Sequence, residues 1–509
     1  MKNIVYLMSL SLLLSCSGEE FLEDALPSIN QAKAEFESNE TLDDLVRGAY
    51  FNLKSPSDIG PLDLFIYQTV TTDLVELKEY SGLLSGDRNI QPFYLRQPEI
   101  NDIRFVEFPW AGAYSVLFNA NTVINFYEEN EPPVDAFQSW VPRIRGEAHF
   151  LRAFALYMLA TTFAPPYSSD PAAESIILRT EPTQAPTDYQ GLATNQEVYD
   201  QIIADLKTAI TLLPEEYDAS VHPEDYQDRA KQSAARFLLA KVYFLMGGPF
   251  WTAGQDGDGG ALEQINAIIE SGRYPLFQGD NLKRIFLEKG LGAKASETVW
   301  YVSYYFRNAW RTPRLELVYS NFTGNRQRGL AMSKATLDAL GWNDEAVAQQ
   351  DERYNDWHRR YDQNSTDSTR IDPAFAGEYT DAYNVWSSKF TDPTANFIVF
   401  RSPELYLMRA VIRLANGDAA GATADVNVTR TRAGLPELGT ATAEDIELEW
   451  IKEMGFEGRR LFYLQALQQP VPPGDRSNTQ PIPYDDPSLV RVLPRAELTR
   501  NPLLAGDGS

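Results

Sequence analysis

Glu453 and Glu457 stand four residues apart in the stretch EMGFEGRRLFYLQAL, residues 453–467, and Arg459 and Arg460 follow at once. Carboxylates at that spacing share one face of a helix, which the pattern opens at Glu449. A carboxylate pair could do acid–base chemistry. The residues between them point elsewhere. Phe456, Leu461, Phe462 and Leu464 are core types, and charged groups among such residues must find partners to be buried. The favoured reading is a structural ion-pair hub beneath a helical layer, since Glu at i, i+4 occurs in any helix.

A second chemistry lies in segments without helical period. After the strand-like ETVWYVSYYF, a polar stretch carries Trp310, Arg311, Tyr319 and Asn321, flanked by Arg307 and Asn325. A tryptophan face stacks on the C–H side of a sugar ring or on a peptide side chain, while amide and guanidinium groups bind hydroxyls or carbonyls. Trp310 is the foremost candidate platform. Residues 55–109 mix Gly, Pro, Tyr, Asp and Asn, and a long loop-rich stretch in a helical chain is functional or disordered. Tyr80, Arg88, Asn89, Phe93, Tyr94 and Arg96 are of the kind that line a carbohydrate or peptide groove.

Metal and cofactor chemistry find little support. Asp256, Asp258 and Glu263 in GQDGDGGALE offer oxygens to calcium. The twelve-residue loop grammar is missing, so a flexible turn before a helix is preferred. His149, His222 and His358 are far apart, and one cysteine gives neither a disulfide nor an ordinary zinc site. No phosphate loop of the Gly-Lys-Ser/Thr type is present, and no cofactor is expected. His149 and Trp110 read as structural.

The chain carries 45 basic and 71 acidic residues, a net charge of −26. That argues against nucleic acid and against docking on anionic lipid through a basic patch. The lone cysteine, Cys16, closes the short apolar run Ile4–Leu14 in the phrase LLLSC. The run is too short to span a bilayer and reads as a processing segment. It resembles a bacterial lipobox, with residues 1–15 removed and Cys16 lipidated. Residues 16–30 then form a tether, and Ser17, Gly18, Glu19 and Glu20 resemble an acidic surface-export tag.

The elements that must position these groups are mostly helices. Residues 40–53 place Leu42, Leu45, Val46, Ala49 and Leu53 on one stripe. Residues 109–163 hold two long helices stopped by Pro165–Pro166. Residues 196–246 and 403–436 each read as a helix pair, with helix starts near 197 and 232 about one tetratricopeptide repeat apart. In the second pair the turn is Gly417–Asp418, and Ala419, Ala420, Ala422 and Ala424 supply small residues for a close crossing. Trp386, before a strand-like Lys389–Phe390, reads as core; Trp357 reads as either core or site.

Several phrases resemble the SusD/RagB family, the surface nutrient-binding lipoproteins of Bacteroidota. The C-terminal hallmark of that family matches at Glu449, Glu453, Phe456, Glu457, Gly458 and Arg460, with Trp450, Tyr463 and Ala466 standing where the family has Arg, Asp and Arg. Its W-x-x-x-Y pattern matches through Trp110, Tyr114, Leu117 and Asn121. Its G-E-A-x-F-L-R-A-x-x-Y motif matches at Gly146, Glu147, Ala148, Phe150, Leu151, Arg152, Ala153 and Tyr157. Later phrases match at Arg401, Glu404 and Leu405, at Asn427, Arg430 and Arg432, and at Pro494, Glu497, Asn501 and Pro502.

The resemblance implies a mainly α fold: tetratricopeptide-like helix pairs, a few short β-strands and long ligand-binding loops. It would form one unit over 31–509, with an N-terminal part 31–250 and a C-terminal part 251–509. It also implies a ligand site on the loop segments around Tyr80 and Trp310 and no covalent chemistry. The expected place is the outer face of the outer membrane, above a TonB-dependent SusC-like transporter that receives an oligo- or polysaccharide. A peptide ligand, as in the RagB branch, is the alternative.

Overall fold

The computed structural model describes residues 36, 38–54, 64–77, 90–97, 106–183, 185, 187–218, 228–278, 282–287, 295–303, 330–360, 385–390 and 396–504. Helix α1 (Asn39–Lys54) leads to a short α2 (Leu64–Val70) and strand β1 (Val75–Leu77). Two long helices follow, α3 (Phe108–Glu129) and α4 (Val141–Phe163), then the pair α5 (Asn195–Leu212) and α6 (Gln232–Met246), then α7 (Gly260–Glu270). Strands β2 (Thr298–Val302), β3 (Leu330–Met332), β4 (His358–Arg360), β5 (Val385–Ser387) and β6 (Phe397–Arg401) come next. The chain closes with α8 (Pro403–Ala415), α9 (Ala419–Arg432), α10 (Ala443–Met454), α11 (Arg460–Ala466) and α12 (Arg495–Arg500).

The helices α1, α3, α4, α5, α6 and α7 pack in succession, each on its neighbours. Helix α4 is buried on nearly every side, which is why its sequence lacks a polar stripe. Proline at its first turn costs nothing there, because that N–H has no helical acceptor. Helix α5 begins with a full capping box: the Thr194 hydroxyl accepts from the Glu197 N–H, and the Glu197 carboxylate accepts from the Thr194 N–H.

Among the described residues the strands form three antiparallel ribbons, β1–β3, β2–β6 and β4–β5. The β2–β6 ribbon joins the N-terminal helices to the C-terminal ones. Trp300 of β2 meets Phe150 and Phe154 of α4 edge to face, with centroids 4.9 and 5.1 Å away. Phe400 of β6 stacks on Phe237 of α6 at 4.6 Å. One apolar core thus runs from Leu42 to Leu489.

Four sequence expectations change. Among their described residues, 55–109 hold two short helices, α2 and Gln91–Tyr94, and strand β1, all too short for their periodicity to register. The C-terminal helix starts at Ala443, capped by Thr442, rather than at Glu449. It stops at Met454, where Gly455 and then Phe456 at φ +67° turn the chain, so Glu453 and Glu457 do not share one helix. In the α8–α9 pair only Ala422 of the four alanines is buried, and Thr423 and Val426 complete the contact face. Lys389 and Phe390 lie in a turn just beyond β5, not in the strand. Trp386 and Trp357 are both core.

Candidate ligand-binding face and its buried support

Strands β1 and β3 pair antiparallel, with Leu77 opposite Leu330. Segment 78–89 begins directly after Leu77, and segment 304–329 ends directly before Leu330. Both stretches that drew attention for aromatic and polar content are therefore tied to the same end of one ribbon. Trp310, Arg311, Tyr319, Asn321, Tyr80, Arg88 and Asn89 themselves lie outside the described residues, as does Cys16.

The ribbon is held from below. Arg460 grips Asp73 with two hydrogen bonds of 2.9 Å, Nε to Oδ1 and Nη2 to Oδ2, the forked geometry that makes guanidinium–carboxylate pairs strong. The Ser333 hydroxyl donates to the Asp73 carbonyl at 2.5 Å, and its N–H to the Leu74 carbonyl at 3.0 Å. Arg476 donates to four carbonyls: Tyr94 (2.5 Å), Val70 (2.7 Å), Pro473 (2.8 Å) and Thr72 (2.9 Å). Its guanidinium also lies 4.3 Å from the Tyr94 ring centroid. Tyr94 is 8% exposed and is packed within this support, where burial raises its phenol pKa. Phe93 is buried too, and Arg96 donates to the Thr71 and Pro472 carbonyls.

Beneath lies the hub that the Glu453–Glu457 spacing announced. Arg401, at the end of β6, contacts Glu453 at 2.5 Å, Glu297 at 3.2 Å and both oxygens of Glu457 at 2.8 Å. Arg432 joins Glu453 and also reaches Glu297 at 2.9 Å. Arg353 bridges Asp351, Glu449 and Glu453 at 2.8, 2.6 and 3.2 Å. Lys389 donates to Glu457 at 2.6 Å and to the carbonyls of Glu453 and Gly455. The Trp357 ring floors the cluster, 4.5 Å from the Lys389 nitrogen. Burial alone would raise Glu453, but Arg432, Arg401 and Arg353 outweigh it and hold its carboxyl well below the usual range. Glu457 is likewise held low against burial, by Arg401 and Lys389. Both acids are thus ionised and saturated with donors inside the core. Two of the residues that depart from the hallmark pack on each other instead: the Trp450 and Tyr463 rings meet at a tilt, 5.0 Å between centroids, and the Trp450 indole donates to the Arg459 carbonyl.

A concave groove of about 560 Å³ opens along α3. Sequence reasoning missed it, because its walls come from four distant stretches. Trp110, Tyr114 and Phe118 line one side, Asn52 of α1 the end, residues 177–183 the far wall, and Glu497 of α12 the rim. The far wall is pinned. The Tyr114 hydroxyl donates to the Ile177 carbonyl at 2.8 Å. The Asn121 amide donates to the Arg179 and Glu181 carbonyls at 3.1 and 3.2 Å. Arg152 donates to the Asn121 amide oxygen at 3.1 Å, to the Thr180 carbonyl at 3.2 Å, and to both oxygens of Asp205. His149 meets Asp205 at 2.7 Å. Burial would raise the Asp205 carboxyl, but the His149 and Arg152 contacts hold it low. Trp110 (4% exposed) packs edge to face on Phe163, 5.0 Å between centroids, so it is largely core. Asp258, weighed for calcium, accepts from Tyr243 at 2.5 Å and meets Lys207 at 2.9 Å.

A helical scaffold of paired helices with small antiparallel ribbons defines the class. Residues 20–244 match the SusD-like family described as starch-binding and associating with the outer membrane, and residues 298–465 match the SusD family. The chain belongs to the SusD/RagB family. It is 24% identical over 488 residues to SusD-like protein P25 of Formosa agariphila, spanning 89% of this chain and 84% of that one. A SusD-like protein of Bacteroides ovatus is 29% identical over 154 residues, 30% of this chain and 24% of its own length. In fold it resembles a SusD superfamily protein from Bacteroides thetaiotaomicron, with a TM-score of 0.74 at 20% identity, covering 92% and 98% of the two chains. Surface glycan-binding protein A from Bacteroides uniformis follows the same fold, with a TM-score of 0.68 at 19% identity, covering 92% and 99%. No helix among the described residues is long and apolar enough to cross a membrane.

Proposed function

We propose that this protein is a cell-surface glycan-binding lipoprotein, anchored through Cys16 in the outer membrane. It captures an oligo- or polysaccharide and delivers it to a TonB-dependent SusC-like transporter by closing over the barrel, with no bond made or broken. The observation that carries the reading is the Leu77–Leu330 pairing. One end of segment 78–89, with Tyr80, Arg88 and Asn89, and one end of segment 304–329, with Trp310 and Tyr319, thus adjoin the same end of that ribbon in the chain, and the ribbon's support is tied down by Arg460 and Arg476. The family description and the glycan-binding fold relatives support the ligand class.

The test is a tryptophan-fluorescence titration of the protein beginning after Cys16. The panel holds neutral glucans, fructans, mannans and xylans, acidic glycans and a mixed peptide digest. Saturable binding to one glycan is expected, and Trp310→Ala with Tyr319→Ala should remove its high-affinity phase at an unchanged melting temperature. Unchanged affinity in that double variant would reject the placement of the site. Binding only to the digest would move the protein to the RagB-like peptide class, and cleavage of any panel member would reveal an enzyme.

A further inference from the structure

We propose that the groove along α3 is a second saccharide site, distinct from the loop segments, that holds an uncharged stretch of the sugar chain. The proposal rests on the glycan reading above and deepens it.

Three features set the groove apart from an ordinary surface dent. The first is its volume, about 560 Å³, within the roughly 300–1,000 Å³ typical of small-ligand sites. The second is the apolar surface beside it. Phe118 lines the groove and is 45% exposed. A half-exposed ring on a rigid helix offers a flat face to C–H groups at small entropic cost.

The third is a set of unused polar groups. Asn52, Asn119, Glu181 and Glu497 all line the groove, and their side chains take no hydrogen bond or ion pair among the described residues. Each is planar with two polar atoms, so each can meet two neighbouring hydroxyls at once. Several other polar groups around the groove are engaged. Tyr114 and Asn121 hold the far wall, and Arg179 donates to the Asp188 carbonyl at 2.7 Å and its carboxylate at 3.5 Å.

The wall is fixed in advance by Tyr114, Asn121 and Arg152, so a ligand would not have to order it. Charge selects the ligand. Glu181 and Glu497 line the groove with no ion pair among the described residues, in a chain of net charge −26. A polyuronate or sulfated chain is repelled there, while hydroxyl donors are welcomed.

The experiment is calorimetric titration of the protein beginning after Cys16 with glucan, mannan, xylan and polyuronate oligosaccharides of graded length. Parent protein should show two sites for one neutral series. Phe118→Ala with Asn119→Ala should remove the weaker site and lower affinity for the longest chains at least tenfold, leaving the stronger site intact. Trp310→Ala with Tyr319→Ala should leave the weaker site in place. A single parent site, lost in the loop variant and untouched in the groove variant, would overturn the groove while leaving the glycan function standing. A parent that binds no oligosaccharide overturns both. Polyuronate binding at the groove overturns the uncharged ligand.

Discussion

The hub around Glu453 and the groove along α3 are built from the same residue types, and they end in opposite states. In the hub every carboxylate meets a guanidinium or ammonium and is cut off from water; Arg401 alone serves three of them. In the groove Glu181 and Glu497 have no such partner among the described residues. Carboxylates beside aromatic rings therefore mean scaffold when donors close around them and a binding surface when donors are missing. Residue type does not separate the two cases; completion of the hydrogen-bond set does.

The sharpest way to break that contrast is to open the hub. Arg401→Ala leaves Glu453, Glu457 and Glu297 short of a buried partner, and removing one member of a buried ion pair costs about 3–5 kcal/mol. Urea unfolding should show a loss of that size, and an unchanged midpoint would mean that water or Lys389 replaces the guanidinium.

Next in size is a pH effect confined to the core. Lys241 and Arg459 share the single carboxylate of Glu404. Burial, and then Arg459, push Lys241 down to about 7, against about 10.4 in an unfolded chain. Between those values the unfolded state binds the proton and the native state does not. Stability therefore rises with pH from about 7 upward, by at most ~1.4 kcal/mol per unit. Lys241→Met should remove that slope, and matching slopes in the two proteins would contradict the assignment.

Asn121→Ala tests the groove's wall. It leaves the carbonyls of Arg179 and Glu181 and the Arg152 guanidinium each short of a partner, which costs about 1–3 kcal/mol. Hydrogen exchange in residues 177–183 should quicken before that in α5. Uniform exchange would mean that Tyr114 and Arg152 hold the wall without it.

The smallest stability effect belongs to Phe118→Ala, within about 0.5 kcal/mol, as for surface positions away from core and networks. A larger loss in thermal unfolding would mark Phe118 as scaffold and blur the distinction.

Much of the scaffold was legible in the chain. Stripes such as Leu42–Val46–Ala49–Leu53 report helices because one face must leave water, and α6, apolar on nearly all sides, reported its own burial. The Glu453–Glu457–Arg460 spacing announced ion pairing, and the motif residues Asn121 and Arg152 stood at their matching positions. Trp357 could be read as core or site from the sequence, since a tryptophan between Asp and His fits both; the Lys389, Arg401 and Arg432 charges around its ring made it core. Tyr94 looked like a groove residue until Arg476, 382 positions away, was seen to close over it.

By itself the sequence determined which segments are helical, which acids need partners and where stacking residues concentrate, because those properties depend on neighbours within a few positions. Only the tertiary structure decided which arginine meets which carboxylate, that segments 78–89 and 304–329 are tied to paired strands, and that α1, α3, residues 177–183 and α12 enclose a groove. Those outcomes depend on contacts between residues tens to hundreds of positions apart, and spacing along the chain carries no record of them.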